Sequence, residues 1–162
     1  MNIALFIIAL AVLVMAAYTD IKDGTVRNEV VLPAIGLGLV LQLIRVFMGQ
    51  ITFGDYLIRI ILIVATFFFY EGFIGGGDAK VFMMLLITQG PYKALASLGL
   101  ASIMIIAYTI YKDPKEAIEN IKAQILAVLT KTISSIKGKG ETVKLCPLML
   151  AGFLIVTLIF GI

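Results

Sequence analysis

"GFIGGGDAKVFMM", residues 72–84, sets three glycines and an aspartate directly ahead of an apolar run. How that run is read decides the fold. Residues 79–89 are uncharged beyond Lys80, yet eleven residues rising about 1.5 Å each reach only about half of a roughly 30 Å hydrocarbon core. The surroundings point to a membrane all the same: 61% of the 162 residues are hydrophobic, 14% are charged and mean hydropathy is +1.09, far from the balance of a soluble domain. Five longer apolar stretches flank the short one, at 2–19, 30–48, 56–74, 92–111 and 146–162. The first lacks the basic start and small-residue cleavage site of a secretory signal and is read as a retained span.

Charge placement decides whether 79–89 crosses. If it does, Lys22, Arg27, Lys80 and the lysines from Lys112 to Lys144 share one side, leaving Arg45, Arg59 and Lys93 near the other. The positive-inside rule favours that arrangement. The expected fold is therefore an all-α, polytopic membrane bundle of about six spans forming one domain over 1–162, with both termini outside. The short span is expected to lie in thinned bilayer or behind its neighbours. The polar segment "YKDPKEAIENIKAQILAVL" opens with Asp113 as a cap, Pro114 at the first helical position and Glu116 as a capping-box partner. Isoleucines at helical spacing then predict a basic amphipathic helix over 114–137, lying on cytoplasmic headgroups.

Composition also narrows the chemistry. One cysteine and no histidine exclude an internal disulfide, a Cys/His zinc site and His-activated nucleophiles. Any catalysis falls to carboxylates. Arg45 and Arg59, near span ends, are expected to snorkel, with Asp55 in an outer loop. Glu71 lies near the inner end of the third span, where it could reach headgroups or pair with a lysine. Asp23 and Glu29 read as solvated loop charges. Asp20 ends the first span, and Asp78 precedes the short one. Singly, Asp20 could be an interfacial residue and Asp78 an N-cap. As a pair they are separated by two full spans, so both emerge on one membrane face. Two neighbouring carboxylates share a proton; the ionised member can deprotonate a water while the protonated one polarises a carbonyl. The glycines ahead of Asp78, Gly75 and Gly77, would let an extended substrate strand approach.

"GGGDAK", residues 75–80, matches the GxGDxK motif of the type IV prepilin peptidases and archaeal preflagellin peptidases, and "DIKDGTVRNEVVLPAIGLGLVL", from Asp20, is similar to that family's first-aspartate segment. Asp20, Lys22 and Asn28 fall in register, Val26 replaces an isoleucine, and Arg27 stands where proline is usual. The resemblance runs from residue 1 to about 105; "CPLMLAGFL" looks like the family's proline-containing last span. It implies a membrane aspartic peptidase with Asp20 and Asp78 as catalytic dyad, cutting pilin or flagellin-like precursors on the cytoplasmic side between a basic leader and a hydrophobic helix. Lys22 and Lys80 would orient the leader or tune the dyad. Without the cysteine-rich segment of many bacterial members, the chain resembles the short, peptidase-only type. No metal, methyl donor or nucleic acid is expected, with precursors and membrane lipid the expected partners. A presenilin-like intramembrane protease, a proton or cation transporter using the same carboxylates, and a non-catalytic assembly subunit are the alternatives.

Overall fold

A computed structural model describes residues 3–73, 76–112 and 145–161; the amphipathic helix expected over 114–137 lies outside them. The described residues form six α-helices and no strand: α1 (Ile3–Asp23), α2 (Asn28–Phe47), α3 (Phe53–Phe73), α4 (Gly76–Gln89), α5 (Pro91–Lys112) and α6 (Leu145–Phe160). Each of the six apolar stretches has become a helix. The protein is an all-α membrane bundle. Among the described residues, α1, α2 and α5 are long and apolar enough to span a bilayer, and α6 is a shorter apolar helix. The outward faces agree, since Ile7, Val14, Val40, Ile61, Phe68 and Ile103 stand exposed where lipid can cover them.

The short helix is the hub. From Val81 to Gln89 every residue of α4 is buried, as a helix apolar on all sides must be, and it contacts each of the other five helices. Its 14 residues rise only about 21 Å, so its neighbours rather than its length keep it in the membrane. Gly38 of α2 makes the closest approach: a Cβ there would stand 2.9 Å from Ile87 Cγ2. This is the small-residue packing that lets membrane helices touch.

What ends α4 is a group of side chains from elsewhere. The Ile87 carbonyl accepts hydrogen bonds from Gln42 Nε2 at 2.8 Å and Arg59 Nη1 at 3.0 Å, and Gly90, at φ +90°, turns the chain into Pro91. Arg59 therefore does not snorkel. Its cation sits against the negative end of the α4 dipole, where it satisfies carbonyls the helix cannot pair itself. Asp55 is likewise structural, but in the first turn of α3 rather than a loop: its backbone N–H donates to Thr52 Oγ1 at 3.1 Å, and that hydroxyl donates to the Asp55 carboxylate at 2.8 Å.

Short connections make consecutive helices antiparallel through α5. The ends of α1, α3 and α5 therefore lie at the same end of the bundle as the starts of α2 and α4, and the start of α6 lies there too, since Cys146 reaches Asp78.

Candidate active site

The site is built on the stripe of α1 that faces inward. Leu5, Ala9, Val12, Leu13, Ala16 and Ala17 are buried at helical spacing, and Asp20 continues the same stripe. The helix runs on to Asp23, so Asp20 is one turn inside it and only 9% exposed. It does not sit at a frayed helix end. Its Oδ2 is buried with no hydrogen-bond partner among the described residues, a state costly enough to need a reason. Gly24, at φ +68°, closes α1 by donating its N–H to the Asp20 carbonyl at 3.1 Å.

Asp78 comes from the other side. It lies in the first turn of α4, two residues past the helix start at Gly76, so it is not the N-cap. The helix dipole favours a carboxylate there. The charge of Asp20 acts on Asp78, and the thiol of Cys146, near the start of α6, donates to Asp78 Oδ1 at 3.2 Å. Three helices thus deliver two carboxylates and a thiol to one half-buried place. The thiol has no counterpart in the sequence-based set of site residues. The one available signal was parity, which puts the start of the last span on the same face as the aspartates.

The supporting residues divide. Lys80 Nζ donates to Asn28 Oδ1 at 2.6 Å, joining the second turn of α4 to the start of α2 beside the aspartates. Gly77 has its own chain for a neighbour, since a Cβ there would stand 3.0 Å from Val26 Cγ2 in the α1–α2 connection. Gly75 and the side chain of Glu71 lie outside the described residues. Lys22 is exposed, with Nζ 5.8 Å from the centre of the Tyr18 ring. Asp23 is not a lone solvated charge, because Arg27 Nη2 pairs with it at 3.1 Å. Glu29 is exposed in the first turn of α2. The backbone of Arg27 (φ −73°, ψ 129°) lies where proline would hold it, so the loop keeps a proline-like conformation without the ring.

Chemically, the arrangement offers two groups able to exchange protons, one of them with an uncommitted oxygen, at one end of an apolar bundle. The sequence model of the type IV leader peptidase family matches residues 7–110, a stretch containing both aspartates. No curated protein and no solved structure matches.

Proposed function

The chain belongs to the type IV leader peptidase family, and on that premise we propose that it is an aspartic endopeptidase removing the short basic leader of prepilin or preflagellin-like precursors at the cytoplasmic membrane face. The observation that supports this reading is the buried Asp20, with an Oδ2 that has no partner among the described residues, ending the inward stripe of α1 at the same end of the bundle where Asp78 stands in the first turn of α4. In the proposed reaction one carboxylate is ionised and the other protonated. The ionised group takes a proton from a water whose oxygen bonds to the scissile carbonyl carbon, while the protonated group donates to the carbonyl oxygen. Collapse of the tetrahedral intermediate breaks the C–N bond as the proton taken from water passes to the departing amine, and one of the intermediate's two hydroxyls returns a proton to the second carboxylate, leaving the new carboxylic acid and the dyad as it began. Each step moves protons and needs no covalent enzyme intermediate.

The end of the bundle holding the dyad also carries Lys22, Arg27 and Lys80, which supports a cytoplasmic orientation for it in a multi-pass protein with both termini outside. A precursor's hydrophobic helix can lie along the apolar outer faces while its leader junction reaches the aspartates at the bundle's end. The test is cleavage of a panel of leader-plus-helix precursors co-expressed in membranes, with the new N-terminus identified by mass. Cleavage between leader and helix is expected. Cleavage inside the helix would replace this reading with an intramembrane protease, and intact precursors throughout would contradict both.

A further inference from the structure

The lone cysteine stands outside the stretch that the family model matches, yet it touches a residue assigned to the reaction. Cys146 is fully buried, and its thiol donates to Asp78 Oδ1 at 3.2 Å. The contact is fixed from two sides. Gly152 seats α6 against α5 so closely that a Cβ there would stand 2.6 Å from the Ser97 carbonyl oxygen, and Phe153 stacks on Phe6 of α1 with ring centres 5.6 Å apart. Cys146 precedes Gly152 by six residues, about 9 Å along the helix, so the packing that sets the register of α6 also sets the position of its sulfur.

An aspartate needs such a contact to be held. Rotation about the bond to a carboxyl group is soft, with broad preferences, and an acid that must pass a proton in one direction works only when its oxygens are fixed. We propose that Cys146 is a positioning residue for Asp78: its S–H holds Oδ1, leaving Oδ2 to face the water and the partner acid, so that docking of α6 completes the active site. The inference rests on the aspartic reading above. Asp20 is the independent observation beside it, because it is nine-tenths buried and its Oδ2 has no partner among the described residues. One acid is clamped by the thiol and the other keeps a free oxygen.

Four substitutions separate hydrogen bonding from packing. Cys146→Ser and Cys146→Thr keep a donor; Cys146→Ala and Cys146→Val do not, and valine is the larger of those two. Kinetics are compared at equal amounts of folded protein. Loss of the donor is expected to lower kcat about tenfold or more with KM unchanged, the range for a hydrogen bond to a charged group, while the serine and threonine variants stay within a few-fold of wild type. Activity that follows side-chain volume, with Cys146→Val above Cys146→Ser, would overturn the proposal. The second readout needs no turnover. Because the chain has one cysteine, its S–H stretching band reports this contact alone: it is expected at lowered frequency in wild type and at the free-thiol position in Asp78→Ala. An unmoved band would overturn the contact. Wild-type cleavage by Asp78→Asn would overturn the peptidase reading and this inference with it. An inactive Asp78→Asn alongside Cys146→Ala and Cys146→Val at full kcat would overturn the inference alone.

Discussion

The two ends of α4 are both polar, and they are polar in opposite ways. At its C-terminal end, cation and amide groups meet carbonyls: Arg59 and Gln42 on Ile87, and Gln89 Nε2 on Leu5 at 3.2 Å. Arg59 Nε and Gln89 Oε1 are left over among the described residues, and the charge of Arg45 opposes that of Arg59, but the hydrogen bonds made there join groups that attract. At its N-terminal end two acids share a site, and an oxygen of Asp20 is buried without a partner. Two acids at one site cannot both ionise freely, and a buried acid oxygen without a partner subtracts from stability. One end therefore holds the helix in place, while the other retains an arrangement whose benefit has to be sought in chemistry.

The largest way to sharpen that contrast is to neutralise the acids. Asp20→Asn and Asp78→Asn are each expected to lower turnover by about 10²- to 10⁴-fold, the contribution of a positioned proton-transfer group, as read by the initial rate of precursor cleavage. Arg59→Met acts at the opposite end and should reverse the pattern. Leaving the α4 carbonyls without their cation is expected to cost about 1–3 kcal/mol of stability, seen as a lower melting temperature in detergent, with turnover per folded molecule kept. Lost turnover in fully folded Arg59→Met would break the contrast.

Smaller effects follow at the rim of the site. Lys80→Met removes the 2.6 Å bond to Asn28 and a positive charge at the aspartates' end of the bundle. A few-fold rise in KM with kcat unchanged is expected, because the Lys80–Asn28 bond orders the rim of the site rather than the transition state. An unchanged KM would remove Lys80 from the site. Asp23→Asn is expected to do least. It breaks an exposed ion pair with Arg27 worth under about 1 kcal/mol, and complete loss of cleavage there would mean that the wrong aspartate of the α1 segment has been assigned.

Much of this contrast was legible in the residues themselves. Hydropathy marks all six helices, and the inward stripe of α1 reads straight through Ala16 and Ala17 to Asp20. Parity puts Asp20 and Asp78 at one end because whole spans lie between them. Where sequence reasoning stopped short, the cause was a neighbour distant in the chain. Arg59 looks free to reach headgroups until α4 ends beside it, 28 residues later. The eleven-residue, largely apolar run at 79–89 looks too short for a membrane until five helices are seen to enclose it. Cys146, 68 residues beyond Asp78, reaches it through the seating of Gly152 on α5, which no local pattern announces.

The most direct test of whether the acid end of α4 is kept for chemistry is to measure cleavage rate and melting temperature on the same preparations of wild type, Asp20→Asn and Asp78→Asn. The account predicts near-complete loss of cleavage in both variants with melting temperatures equal to or above wild type, because each substitution removes a proton-transfer group and puts a neutral amide in place of one of two acids at the same site. A loss of cleavage no larger than the loss of folded protein, or near-normal cleavage in either variant, would contradict it.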